Sequence, residues 1–200
     1  EDIAALPRRM LARRIGFLQQ EAPPLFDVSV DTLTRMGRYS HTGWIGAMTE
    51  NDHRAVNGAL AQMNMRQLRD RPLSHLSGGE RRRALVASVL AQEPSVLLLD
   101  EPTAALDLHH AARVMRLLAR SGPPGRSVIV VTHDINLAAL YADRLILVVA
   151  GRIAADGPPA DVITDAIIRE AYGEDIIIAA HPETGAPMAI ARSGEHAKNN

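Results

Sequence analysis

The sequence predicts an α/β fold: a parallel sheet with helices between its strands, and a helical subdomain set into it. Three observations carry this. Short apolar runs occur at Val96–Leu99, Val128–Val131 and Leu145–Val149. None shows polar alternation, as expected for parallel strands covered on both faces. Helical periodicity fills the intervals, with Ala111, Val114, Met115 and Leu118 on one stripe and Leu137, Ala138 and Tyr141 on another. Finally, residues 21–76 contain no strand-like run, which sets them apart as helical.

Taken in order, the chain opens with a core segment, 1–20, ending in Ile15-Gly16-Phe17-Leu18-Gln19-Gln20. Residues 21–90 follow as the helical subdomain, entered through Pro23-Pro24. Ser29 is placed to cap a helix bearing Val30, Leu33 and Met36. Thr49 with Asp52 makes a capping signal for a second helix, with Val56, Leu60 and Met63 on its apolar face. Residues 91–192 return to the α/β core, and from Gly151 the pattern reads as a hairpin, two short helices and a final strand or two. Residues 193–200 are polar and read as a flexible tail.

Composition narrows the function classes. The chain has 200 residues, 46% hydrophobic and 22% charged, a globular balance. A formal charge of -1 gives no basic field for nucleic acid. The absence of cysteine excludes a disulfide scaffold, a cysteine nucleophile and cysteine-ligated metals. The longest clean apolar run, Leu145–Ala150, is far below the roughly 20 residues of a membrane helix. With no signal peptide, the expected location is cytoplasmic. Among the 22 basic residues the only lysine is Lys198, so these residues hold no G-x-x-x-x-G-K-[ST] loop. The start at Glu1, without methionine, leads to the expectation of a piece of a longer protein.

Several segments carry chemistry. In Val96–Thr103 (VLLLDEPT) a strand ends in two carboxylates, Asp100 and Glu101, and ligands of open α/β sheets sit beyond such strand ends. Alternation along a strand sends the two side chains to opposite faces, so one can hold Mg²⁺ and the other can orient or deprotonate a water. The plainer reading is a solvated acidic strand end. Val128–Val131 similarly runs into Thr132-His133-Asp134, and His133 can meet a phosphate or simply bond the backbone. Ser77-Gly78-Gly79-Glu80 precedes a strong helix pattern, and an open helix N-terminus binds anions. It also fits an ordinary capped helix.

Order and spacing join these signals. Leu76–Glu80 (LSGGE), VLLLDEP, Ala104-Ala105-Leu106-Asp107 and the strand ending in Thr132-His133 follow one another within a short span. In this arrangement the sequence resembles the nucleotide-binding subunit of ABC transporters, a P-loop NTPase-like α/β fold. Leu76–Glu80 matches the signature motif and Leu97–Glu101 the Walker B strand with its adjacent glutamate. Ala104–Asp107 is similar to the D-loop, with alanine where serine is common, His133 to the switch histidine and Gln20 to the Q-loop glutamine.

The resemblance implies an ATPase with ATP and Mg²⁺ as cofactors. Asp100 and Gln20 would hold Mg²⁺. Glu101, His133 and Gln20 would be catalytic. Ser77, Gly78, Gly79, Glu80 and Asp107 would handle nucleotide across a dimer of ATPase subunits. Integral-membrane permease subunits and, indirectly, a periplasmic substrate-binding protein would be partners, on the inner face of the membrane. The Walker A loop and the adenine-stacking aromatic are absent from these 200 residues, so the core is expected to be incomplete and inactive alone. A strand is expected to be missing beside Val96–Leu99, leaving edge groups unpaired.

The compact interval from Gln20 to Leu76 leaves no room for a long coiled coil. Val30–Arg38, Arg71–Glu80, His133–Ala139 and His181–Pro187 resemble subunits that power uptake of iron siderophores, haem and cobalamin. A non-catalytic remnant and a cassette of another transporter branch are the alternatives. His109-His110 and Arg81-Arg82-Arg83 read as solvated surface, the run pairing one local acid. Trp44 either packs the helical subdomain or faces a membrane subunit. A Ser77–His133–Asp134 hydrolase triad has no G-x-S-x-G elbow to support it.

Overall fold

The computed structural model describes residues 2–20, 27–42, 46–120 and 125–192. Pro23-Pro24, Trp44 and the 193–200 tail lie outside them. Two compact units divide the chain, residues 1–132 and 133–200.

The first unit begins with α1 (Arg8–Arg14) and β1 (Ile15–Leu18). The helical segment then supplies α2 (Val30–Met36), α3 (Tyr39–Thr42), α4 (Glu50–Gln62) and α5 (Gly78–Ala91). β2 (Val96–Asp100), α6 (Leu108–Arg120) and β3 (Ser127–Val131) complete it. Capping follows the sequence signals. Ser29 accepts from the Thr32 N–H at the start of α2. Thr49 and Asp52 close a reciprocal capping box on α4. The apolar stripes of α2, α4 and α5 meet, burying Val30, Leu33, Val56, Leu60, Val86 and Leu90. Gly37 lets α2 approach α5 closely: a Cβ there would lie 2.1 Å from the Ser88 carbonyl oxygen.

The sheet of this unit is parallel, in the order β1-β2-β3, with Ile15 opposite Val96 and Val96 opposite Ser127. This corrects the expectation of a missing neighbour at Val96–Leu99. β2 is the central strand, with Leu97 and Leu99 buried, because the Ile15 and Ser127 segments flank it. The exposed apolar side chains are instead Phe17 on β1 and Ile129 and Val131 on β3. β3 therefore has one exposed face rather than two covered ones.

The second unit holds α7 (Ile135–Tyr141), β4 (Leu145–Val149), β5 (Arg152–Gly157), α8 (Pro159–Val162), α9 (Asp165–Tyr172), β6 (Ile176–Ala180) and β7 (Pro187–Ala191). β4 pairs antiparallel with β5 through the turn at Ala150-Gly151, where both residues have positive φ. That overturns the parallel reading of Leu145–Val149: its pleat has one half-buried and one exposed face, and an unbroken apolar run does not distinguish the two pairings. The predicted hairpin, two short helices and final strands after Gly151 are all found, the last as the β6–β7 hairpin. Ala139, Ile163 and Ile168 form the buried centre, with Ile135, Leu145 and Ile176 packed around it. Asn136 of α7 receives the Ala189 N–H at 2.8 Å and donates to its carbonyl at 3.0 Å.

Candidate functional site

The start of α5 follows from Ser77. Its hydroxyl accepts from the Glu80 N–H at 3.3 Å, and Glu80 accepts from the Ser77 N–H and hydroxyl, both at 2.9 Å. Those backbone and side-chain bonds from Ser77 hold the Glu80 carboxyl below its ordinary pKa. The box leaves Gly78 and Gly79 in the first turn, whose N–H groups have no carbonyl one turn back within the helix. Positive dipole charge gathers at the same end. Close approach of the Ala104-Ala105 turn requires Gly79: a Cβ there would lie 2.9 Å from the Ala105 carbonyl oxygen.

Asp100 is the last residue of β2. The next residue, Glu101, takes a left-handed conformation with φ 48°, uncommon for a residue with a long side chain. Two backbone bonds hold it there. The Glu101 N–H donates to the Val131 carbonyl at 2.8 Å, and the Ala104 N–H donates to the Glu101 carbonyl at 3.0 Å. The second carboxylate thus leaves the pleat at a fixed turn, and Pro102 is buried behind it.

Gln20 follows the end of β1 and is exposed. Arg82, one turn into α5, joins the two strand ends. Its Nη1 donates to the Gln19 and Gln20 carbonyls at 2.9 and 3.0 Å, and its Nη2 donates to the Asp100 carbonyl. Arg82 is only 5% exposed, which corrects the reading of Arg81–Arg83 as a solvated face. Phase explains it: Arg82 lies on the buried stripe with Val86 and Val89. Burial pushes its pKa down, and Asp100 and Glu101 act in the opposite direction. An open cleft of about 340 Å³ is lined by Gln20, Gly78, Arg81, Arg82, Leu85 and the Ala104-Ala105 turn.

In the first unit Arg82 thus ties the Gln20 and Asp100 backbones to α5, and Gln20 and Gly78 line the same cleft. Asp107 is not among the residues lining that cleft; it caps α6 through the His110 N–H at 2.8 Å, with the His110 Nδ1 at 2.9 Å from both carboxylate oxygens. The His110 backbone and side-chain bonds hold the Asp107 carboxyl below its ordinary value. His133 opens the second unit, and its carbonyl accepts from the Ile135 N–H. Asp134 caps α7 through the Leu137 N–H at 2.9 Å.

The sequence reading missed two buried arginines. Arg82 was detectable from its helical phase. Arg38, 2% exposed, bonds Asp52, Glu93 and the Ala91 carbonyl, and a charged residue just after a helix carries no signal of such burial. Among the described residues no group of three metal-ligating side chains gathers. The donors present suit Mg²⁺, which takes one or two carboxylates and completes its shell with phosphate oxygens and water.

A parallel sheet with paired carboxylates at the end of its central strand, next to a glycine-opened helix, has the architecture of an ABC ATPase cassette. Comparison with solved structures agrees. A transporter described as of the metal-chelate ABC type, in an inward-facing conformation, superposes with a TM-score of 0.77 at 27% identity, over 90% of this chain and 73% of that one. A dimeric ATP-binding cassette with ADP and Pi bound gives 0.64 at 28% identity, over 79% and 68%. The ABC transporter family profile matches residues 1–104. The chain belongs to the ABC transporter family.

Its sequence is 44% identical over 180 residues to a hemin import ATP-binding protein of Streptomyces coelicolor, covering 90% of this chain and 64% of that protein. It is 41% identical over 189 residues to a cobalamin import ATP-binding protein of Halobacterium salinarum, covering 93% and 46%. With the ferric enterobactin transport ATP-binding protein of Escherichia coli it shares 37% over 191 residues, covering 95% and 70%. The chain thus spans less than two thirds of the hemin and cobalamin relatives. Among the described residues no helix is long and apolar enough to cross a membrane.

Proposed function

We propose that this chain is part of the ATP-hydrolysing subunit of an importer for an iron siderophore, haem or cobalamin. The observation that carries the reading is the joining of the Gln20, Asp100 and Glu101 strand ends to the helix that begins at Ser77-Gly78-Gly79. Phosphoryl transfer is catalysed mainly by positioning and charge neutralisation, and these groups supply both. Asp100, with Gln20, would hold Mg²⁺, which would supply neutralisation of charge on the phosphates. Glu101 takes the proton of the attacking water, and His133 bonds the terminal phosphate. Ser77, Gly78, Gly79 and Glu80 present the α5 N-terminus to nucleotide bound by a second ATPase subunit, and Asp107 acts at the same dimer contact.

In this reading residues 21–90 work as the helical subdomain and 1–20 and 91–192 as the catalytic core. The subunit lies on the cytoplasmic face of the membrane against permease subunits, with a periplasmic substrate-binding protein as an indirect partner. The hemin, cobalamin and siderophore relatives support the choice of cargo.

The test uses the full-length protein. Glu101→Gln keeps the side chain's shape and removes its basicity, so kcat should fall by about 10²–10⁴ while ATP binding persists. Asp100→Asn should raise the Mg²⁺ concentration needed for nucleotide binding. Near-normal turnover by Glu101→Gln rules out its role as the base.

A further inference from the structure

Arg82 is a cation in a place where helices usually put an apolar side chain. Its neighbours along the buried stripe of α5 are Ala84, Val86, Ala87 and Val89, all buried. Taking a guanidinium out of water is costly, and filling the volume with hydrocarbon is often as stable or more so. What hydrocarbon lacks is the set of bonds Arg82 makes. The Gln19 and Gln20 carbonyls belong to the segment that leaves β1, and the Asp100 carbonyl ends β2. One planar side chain thus bridges the ends of two adjacent parallel strands from a helix that is part of neither.

We propose that Arg82 is a positioning residue. It fixes the Gln20 segment and the Asp100–Glu101 turn to the helix beginning at Ser77, so a displacement of that helix is transmitted directly to both strand ends. This rests on the ATPase reading above for its catalytic consequence, though not for its mechanical part.

Geometry explains why arginine serves here. The three carbonyls need donors on two different nitrogens, and the guanidinium holds its N–H groups in a fixed fork. Lysine keeps the charge but concentrates its donors on one atom at the end of a flexible stem, so it cannot reproduce the bridge. The charge also matters. Asp100 and Glu101 are near enough to stabilise the charged guanidinium. Arg81 and Arg83 are only partly buried and flank the bridging residue on either side of the stripe.

The experiment compares the full-length wild type with Arg82→Met and Arg82→Lys by amide hydrogen exchange without nucleotide, then by steady-state ATPase kinetics. In Arg82→Met, exchange across residues 15–20 and 96–103 should rise by about tenfold or more, while the β6–β7 hairpin keeps its wild-type rate. Arg82→Lys should fall between. The kinetics should show kcat lowered by about tenfold with the KM for ATP within about threefold, the pattern of a lost transition-state arrangement rather than of lost binding. If Arg82→Met does not fold, Arg82→Gln, which retains a donor for one carbonyl, takes its place in both measurements. Exchange within about twofold of wild type at both strand ends overturns the bridge. Raised exchange with unchanged kcat overturns its catalytic consequence. A wild type that binds ATP without hydrolysing it overturns the ATPase reading instead, and the exchange data still decide the bridge.

Discussion

Arg38 is a heavily committed side chain of the helical segment, and removing it should be costly. Its Nε and Nη2 bond the Asp52 carboxylate, each at 2.8 Å. Its Nη1 bonds Glu93 and the Ala91 carbonyl, also at 2.8 Å. Glu93 is 51% exposed and its share is small. The Asp52 side chain is 5% exposed, and Arg38→Met would leave it buried without its countercharge. Breaking a buried pair from one side costs about 3–5 kcal/mol. Asp52 would keep the Thr49 N–H at 2.9 Å and the Thr49 hydroxyl at 2.7 Å, which places the expectation at the low end, about 3 kcal/mol. In a chain of this size that corresponds to a fall in Tm of about 6–12 °C. Denaturant unfolding of Arg38→Met, Asp52→Leu and the double variant provides the assay. The double variant should be less destabilised than the two single losses summed, because no charge is left stranded. A loss below about 1 kcal/mol in Arg38→Met, or strict additivity in the cycle, would refute the account.

Two further outcomes follow from the same segment. Gly37→Ala would set a Cβ 2.1 Å from the Ser88 carbonyl oxygen, a backbone atom that cannot swing aside, so stability should fall by about 1–3 kcal/mol in the same unfolding assay. The Asp52 carboxyl is held at about 2 instead of 3.8, first by the Thr49 hydroxyl and then by the Thr49 N–H and Arg38, against the opposing effect of burial. Its folded-state value is depressed, so its contribution is present above pH 3.8 and is lost as pH falls towards about 2. Unfolding midpoints followed through that window should drop, and Asp52→Asn should flatten the profile.

The local signals in the sequence were the legible part. Ser29, Thr49 and Ser77 each cap the helix that their spacing indicates, because an N-cap bond depends on residues three apart and on little else. Strand pairing was less legible. The Leu145–Val149 run gives no sign of whether its partner is parallel or antiparallel, since that is decided by the Ala150-Gly151 turn and the Arg152–Gly157 strand. The place of Val96–Asp100 at the centre of three strands was hidden for a similar reason: its neighbours come from residues some 80 positions before and 30 after. At the site, Asp100, Glu101, Gln20 and Ser77–Gly79 were singled out by motif order. Arg82 and Arg38 were not, because arginine is most often exposed and a run of three suggests solvent. Their burial is set by long-range acceptors: Gln19, Gln20 and Asp100 for one, Asp52 and Ala91 for the other.

These two arginines act on different parts of α5, and the difference bears on what the helix can do. Arg38 binds the carbonyl of Ala91, the last residue of α5, and ties that end to α4 through Asp52. Arg82 binds the strand ends near the helix start. Between them the buried stripe packs on α2 and α4. A helix so held cannot pivot about its middle without breaking buried charge-assisted bonds at one end or the other. Any displacement imposed on Gly78 and Gly79 is therefore passed to the Gln20 and Asp100 backbone, or along the helix to Arg38 and α4. A hydroxyl cap and two glycines make the N-terminus receptive to an anion, but the two buried cations make its position matter elsewhere in the unit. Such a pairing of a receptive tip with a stiff, doubly anchored shaft is what a helix needs if phosphate contact at its start is to be mechanically consequential.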